Sequence, residues 1–212
     1  MKRVVAVNGS PKSAESTSGA LIKTLEEYIG IIINSFRAVE LVRREDAHKV
    51  IADVLKADVL LIVFPLYVDS LPAPLVKLLK QIEQAAKTCS SSLPTVYSIC
   101  NCGFYEAEHN SLALKMTRTF AKRIGAGYGY GLGIGCGGVL AQMEKGPVDN
   151  VYAALRDMGD TIMAENSKES EDAFITPKMP RFLYKMGGNI GWRQMARKNA
   201  VLKQIKEKPH SL

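Results

Sequence analysis

Along the chain, five short stretches run apolar or alternate, and between them lie five stretches whose apolar residues recur three and four positions apart. Residues 3–7, 36–42, 57–64, 95–100 and 127–135 predict strands. The run at 57–64 is almost continuously apolar yet too short for a buried helix, which marks it as the central strand, whereas 36–42 alternates as an edge strand does. Helical spacing covers 18–29, where Leu21, Ile22, Leu25 and Ile29 share a face, and then 46–56, a segment carrying Leu75, Leu78, Leu79 and Ile82, 107–124, and 148–165. Strict alternation of strand and helix implies right-handed crossovers, hence a parallel sheet covered on both faces. The expectation is an α/β, doubly wound sheet of five parallel strands in the order 2-1-3-4-5. Ligands of such sheets sit beyond the carboxyl ends of the strands where strand order reverses, so the loops after the first, third and fourth strands should meet there.

Each of those loops has its own chemistry. The first, Asn8-Gly9-Ser10-Pro11-Lys12 followed by Ser13, Ser16, Thr17 and Ser18, has neither the glycine pattern of a dinucleotide fingerprint nor that of an ATP-type phosphate loop. It does set hydroxyls and a lysine at the amino end of a helix, where free backbone N–H groups and the helix dipole stabilise a phosphate. A solvated turn with Ser16 or Ser18 as the N-cap accounts for the same composition, and the position of the loop favours the phosphate. The second loop, residues 64–74, holds Tyr67 and apolar neighbours between three prolines, a rigid wall for a planar ring or a lid on the core. In the third, Asn101-Cys102-Gly103-Phe104-Tyr105-Glu106, Gly103 permits close backbone approach and Asn101 offers a donor and an acceptor.

Composition narrows the class. The chain has 212 residues, 47% hydrophobic and 23% charged, enough for one well-buried domain. No apolar run is long enough to span a bilayer and the start leads straight into a strand, which predicts a cytoplasmic protein. The four cysteines lack zinc-site or thioredoxin spacing and read as free thiols; Cys100 and Cys102 lie two apart on one strand, without disulfide geometry. No metal site is expected. His48, His109 and His210 read as surface or capping residues, so no catalytic side chain is assigned.

Taken together, Asn8-Gly9-Ser10-Pro11-Lys12 with its downstream Ser-Thr-Ser, Pro65-Leu66-Tyr67 leading into a helix with Lys77, and Asn101-Cys102-Gly103-Phe104-Tyr105-Glu106 resemble the flavodoxin-like NAD(P)H-dependent FMN reductase family over residues 1–165. The resemblance implies non-covalent FMN, with Ser10, Lys12, Ser16, Thr17 and Ser18 around its phosphate. It implies Pro65, Leu66, Tyr67 and Val68 on one side of the isoalloxazine and Asn101, Cys102, Gly103 and Phe104 on the other. The first loop is longer and richer in Ser than the usual Gly-Ser-Pro-Arg-x-x-Ser form, which leaves the individual donors open. The implied activity is transfer of hydride or electrons from NADH or NADPH through FMN to a small acceptor such as free flavin, a quinone or an azo compound. Tyr105 and Glu106 would shape the substrate side, and a homo-oligomer, dimer or tetramer, is expected. The alternative is a flavodoxin-type electron carrier, disfavoured because carriers present an acidic face.

The net charge of +7 is unevenly placed. Residues 177–212 hold nine of the 28 Lys and Arg residues and one of the 21 acids, leaving 19 cations and 20 acids before them. A polar linker is expected at 166–176, a turn at 187–191 and a helix from Trp192, with Arg193, Arg197, Lys198, Lys203 and Lys206 around its apolar face. Docking of Phe182, Leu183, Tyr184 and Trp192 on the domain or a second subunit is the preferred reading of this extension. An acidic partner or an anionic surface is the alternative, and nothing in it resembles a nucleic-acid module.

Overall fold

The computed structural model describes residues 2–12, 16–140, 146–164 and 169–205. In chain order the elements are β1 (Val4–Asn8), α1 (Thr17–Ile29), β2 (Asn34–Arg37), α2 (Ala38–Leu41), α3 (Ala47–Leu55), β3 (Val59–Pro65), α4 (Ala73–Ala86) and β4 (Thr95–Asn101). A 3₁₀ turn (Ala107–Asn110) then leads into α5 (Ser111–Ile124), β5 (Tyr128–Ile134), α6 (Gly137–Leu140), α7 (Asp149–Met163), β6 (Ala173–Ile175) and α8 (Arg181–Lys198). The sheet runs β2-β1-β3-β4-β5-β6, every pair parallel. The chain divides into two units, Met1–Lys178 and Met179–Leu212.

The apolar runs of the sequence exist because both sheet faces are covered. Val5, Val7, Leu60, Ile62 and Phe64 point into the core beneath α3, α4 and α5, while Val4, Ala6, Val59, Leu61 and Val63 point into the core beneath α1 and α7. Where the covering helices come nearest, side chains are absent: a Cβ on Gly159 of α7 would lie 2.9 Å from Ile29 Cγ2. The glycines of β5 act likewise, since a Cβ on Gly129 would stand 2.3 Å from the Tyr97 ring.

Three expectations are corrected. The second strand does not run 36–42: it ends at Arg37, and Ala38 and Leu41, three apart and both buried, turn the chain into α2. The sheet has six strands, the sixth drawn from residues read as linker. Polar contacts hold it, for Asp172 Oδ1 accepts from Gly131 N at 2.7 Å, Tyr128 Oη at 3.2 Å and Arg118 Nη2 at 3.2 Å. In the extension, α8 runs unbroken through Gly187, Gly188 and Gly191 where a turn is expected. It starts after Pro180, whose carbonyl accepts from Leu183 and Tyr184, and stops at Lys198. Residues 165–168, Lys206, Lys208 and His210 lie outside the described residues.

Candidate functional site

At the carboxyl edge of β1 the chain folds back on its own side chains. Asn8 Oδ1 accepts from Ser10 N at 2.9 Å, an Asx turn, and Asn8 Nδ2 donates to Ser16 Oγ at 3.4 Å. Gly9 N donates to Val63 O at 2.8 Å, and a Cβ there would meet Leu75 Cδ2 at 2.7 Å and Phe64 Cβ at 2.8 Å, so the loop is pressed against β3 and α4. Ser10 Oγ accepts from Lys12 N at 3.3 Å. Ser16 is the N-cap of α1, its Oγ accepting from Gly19 N at 3.1 Å. The first intrahelical bond is Ala20 N to Ser16 O, so the Thr17 and Ser18 amides lie ahead of the ladder. Ser10, Ser16 and Ser18 are all buried, whereas Lys12 is exposed and its carbonyl accepts from Arg37 Nη2. Ser13 lies outside the described residues.

The loops after β3 and β4 join this group through backbone and one amide side chain. Leu66 N donates to Asn101 O at 2.8 Å, and Asn101 Nδ2 donates to Phe64 O at 3.1 Å and Ser18 Oγ at 3.3 Å, tying α1 to the ends of both central strands. Beyond Pro65 and Leu66, Tyr67 and Ser70 exchange two 3.1 Å backbone bonds around Val68 and Asp69, whose φ values are 51° and 55°. That is the geometry of a tight hairpin turn that favours glycine or asparagine. A β-branched valine there stores on the order of 1–3 kcal/mol of strain. Val68 is 97% exposed and Tyr67 stands half out of the surface. In the loop after β4, Phe104 is 52% exposed and packs on the His109 ring, centroids 4.3 Å apart, with His109 Nε2 3.9 Å from Glu106. A Cβ on Gly103 would meet nothing within 4 Å, so its face of the loop is open.

The sequence reading missed a fourth loop, the one after β5. Thr17 Oγ1 donates to Gly137 O at 3.5 Å, Gly137 N to Cys102 O at 2.7 Å and Cys136 N to Phe104 O at 2.7 Å. Cys136 is buried with φ 54°, a conformation strained for any residue with a Cβ, and its thiol donates to Tyr105 O at 3.8 Å. Burial pushes the Cys136 thiol up to about 11 and also raises Cys102 and Cys100, so these thiols stay neutral rather than nucleophilic. The string Gly135-Cys136-Gly137-Gly138 following an apolar strand was the available signal for this loop.

The result is a set of hydroxyls and amides at the amino end of α1, with Ser10, Ser16, Ser18 and Asn101 buried and Thr17 half-buried, beside loops bearing the exposed Tyr67, Val68 and Phe104. Lys12 is not drawn into the buried set. The donors suit a phosphate monoester: short hydroxyls, a helix amino end and no carboxylate among them. Among the described residues no group of three or more His, Cys, Asp or Glu side chains is placed to hold a metal, and no helix is long and apolar enough to cross a membrane.

No protein-family model matches the sequence, and no curated protein matches it either. Solved structures do resemble the fold. An NADH:FMN oxidoreductase in its apo form aligns at a TM-score of 0.60 and 16% identity over 86% of this chain and 98% of its own. An FMN-dependent NADH-azoreductase from Bacillus anthracis, in complex with FMN, gives 0.54 and 14% over 76% and 100%. A WrbA-like flavodoxin from Agrobacterium tumefaciens gives 0.55 and 12% over 76% and 95%. The chain spans only 35% of the rubredoxin oxygen:oxidoreductase from Desulfovibrio gigas, with a TM-score of 0.54, 11% identity and 76% of this chain aligned. The fold is thus flavodoxin-like.

Proposed function

We propose that the protein binds FMN non-covalently and passes reducing equivalents from NADH or NADPH to a small acceptor such as a free flavin, a quinone or an azo compound. One observation carries the reading: three buried serines and an asparagine converge with the amino end of α1 at the switch point of the sheet. Ser10, Ser16 and Ser18 each accept a hydrogen bond within the loops, which leaves their O–H groups to donate to an anion. The flavin cofactors and nicotinamide donors in the names of several structural neighbours support it. Bound FMN would supply the redox chemistry, taking a hydride from nicotinamide and releasing it to the acceptor.

The chain's own part is to hold and orient. The Thr17 and Ser18 amides with Ser10 and Ser18 hydroxyls would hold the phosphate, and Lys12 would add a screened positive charge from the surface. The stiff Tyr67–Ser70 turn and Phe104 would set the two sides of the ring, because a turn fixed by two backbone bonds moves little on binding. Cys102 and Cys136, held as neutral thiols by burial, would present no thiolate to the flavin.

Titrating the purified protein with FMN and following its visible spectrum during anaerobic addition of NADH or NADPH tests the proposal. Binding, followed by bleaching with either nucleotide, is the expected result. Combined Ser10→Ala and Ser18→Ala substitution should weaken FMN binding by about tenfold or more, the loss of two hydrogen bonds to a charged group. Protein that refuses FMN refutes the reading, and FMN that neither nucleotide reduces replaces it with an electron carrier.

A further inference from the structure

Asn8 pairs in register with Val63 of β3 on one side and with Arg37 of β2 on the other, so the chain leaves β1 and β2 side by side. The flavin ring is assigned to the β3 side. On the β2 side Pro11, Arg37, Val39, Glu40, Arg43 and Arg44 line an open cleft of about 460 Å³, the size of a small-molecule site, which the flavin reading does not use. Its charged groups are not equivalent. The Arg37 guanidinium is engaged by the protein, Nη1 with Glu40 and Nη2 with Lys12 O at 2.6 Å, and its buried Nε has no acceptor among the described residues. Arg44 Nε and Nη2 donate to the two carboxylate oxygens of Asp46 at 2.8 and 2.7 Å. Arg43, in contrast, is exposed, and among the described residues no acid or acceptor meets its guanidinium. The exposed Lys12 ammonium likewise has no partner among them. Both nearby carboxylates are therefore paired, and two uncompensated cations stand beside the aliphatic surfaces of Pro11 and Val39.

We infer that this cleft receives the adenosine 2′-phosphate of NADPH and makes the chain prefer NADPH to NADH. The inference rests on the flavin reading, which puts the nicotinamide over a ring beyond β3 and β4. A dinucleotide running from there along the carboxyl edge of the sheet toward β2 crosses two strand spacings, about 10 Å, and meets Pro11, Lys12 and Arg43. Pro11 and Val39 offer apolar surface to the adenine, Arg43 a planar fork to the phosphate monoester, and Lys12 a point charge beside it. NADH brings only a ribose hydroxyl, which would need a free carboxylate, and Glu40 and Asp46 are already held by Arg37 and Arg44. The end of the second strand is also where dinucleotide-binding sheets read the same ribose position, with an acid for the hydroxyl and an arginine for the phosphate.

Calorimetric titration of the FMN-loaded full chain with NADP⁺ and NAD⁺, oxidised forms that bind without turnover, tests the inference. A parallel titration without FMN compares 2′,5′-ADP, 5′-AMP and inorganic phosphate. NADP⁺ should bind at least about tenfold more tightly than NAD⁺, and high salt should shrink the difference. Arg43→Ala should erase the preference while leaving FMN affinity and the thermal melt unchanged, and Arg43→Lys should restore part of it, because a point charge replaces the fork. Equal affinities in the parent overturn the inference, as does a preference that survives Arg43→Ala. Inorganic phosphate binding as tightly as 2′,5′-ADP overturns it in favour of a general anion site. A chain that refuses FMN yet selects 2′,5′-ADP through Arg43 refutes the flavin reading and keeps the cleft, whereas one that takes FMN without the preference does the reverse.

Discussion

Helices α5 and α8 end in the same way and are held in opposite ways. At the end of α5, Gly125 (φ 78°) donates to Lys122 O and Ala126 to Ala121 O; at the end of α8, Ala200 (φ 58°) donates to Arg197 O and Val201 to Ala196 O. Both are the paired bonds of a left-handed helix stop. Yet α5 buries Ala113, Leu114, Thr117, Phe120, Ala121 and Ile124, while α8 buries Ala196 alone. Backbone hydrogen bonding can close a helix anywhere, but only one-sided burial makes the surrounding chain choose it. The sheet unit determines α5, and α8 has no such buried face of its own.

The largest expected effect tests that contrast directly. Leu114→Ala removes a fully buried side chain and should cost about 2–5 kcal/mol in denaturant unfolding. Ile190→Ala, at a half-exposed position on α8, should change stability by less than about 0.5 kcal/mol. Circular dichroism of the sheet unit and Trp192 emission should give transitions that do not coincide, because they report separate units. Comparable losses from the two substitutions would break the comparison.

Protonation sharpens it next. Cys136 has a folded value near 11 against 9.0 for a free thiol, because burial disfavours the thiolate. Its contribution is full below pH 9 and is lost as pH rises toward 11, where the unfolded thiol ionises and the folded one does not. Urea unfolding of the sheet unit between these pH values should show a decline that Cys136→Ala flattens, while the decline in Trp192 exposure of α8 stays the same in both proteins. An unflattened decline would assign it to other groups.

What could be read from the sequence follows the same division. Strands buried on both faces betray themselves as apolar runs, so β1, β3 and β4 and the strand order were legible, and the hydroxyls beyond β1 stood out as helix-start chemistry. β6 was illegible because three residues of intermediate burial are held by Asp172 rather than by an apolar pattern. α2 was hidden because Phe36 and Ala38 continue a strand-like alternation before Ala38 and Leu41 set the helical one. The loop after β5 gave only glycines, whose meaning lies in what they let approach: a Cβ on Gly135 would come 2.4 Å from Tyr105 O. α8 was misread for the converse reason, since its glycines look like a turn and a Cβ on any of the three would meet nothing within 4 Å.

Capping offers a smaller test. α1 begins with a side-chain cap from Ser16, whereas α8 begins at Pro180 with none. Ser16→Ala should cost about 1 kcal/mol of sheet-unit stability, from the lost bond to Gly19 N, and Pro180→Ala should leave it unchanged. Under the flavin proposal Ser16→Ala also weakens FMN binding. A Ser16→Ala protein as stable as its parent would show that tertiary packing alone fixes the start of α1.

The smallest effect addresses α8 from within. Gly188→Ala adds a methyl group where nothing lies within 4 Å, so no neighbour opposes it, and alanine is favoured over glycine in a helix interior by up to about 1 kcal/mol. Helix content measured by circular dichroism should rise, and the Trp192 environment should become less sensitive to temperature. The same change at Gly159 would have the opposite sign, because its Cβ meets Ile29 at 2.9 Å and Leu25 at 3.3 Å across the α1–α7 contact. If Gly188→Ala lowers the helix content instead, another backbone already lies against that glycine and α8 has its surface. If helicity rises, the glycines are there for the unbound helix to stay soft, and ordering is left to whatever α8 lies on.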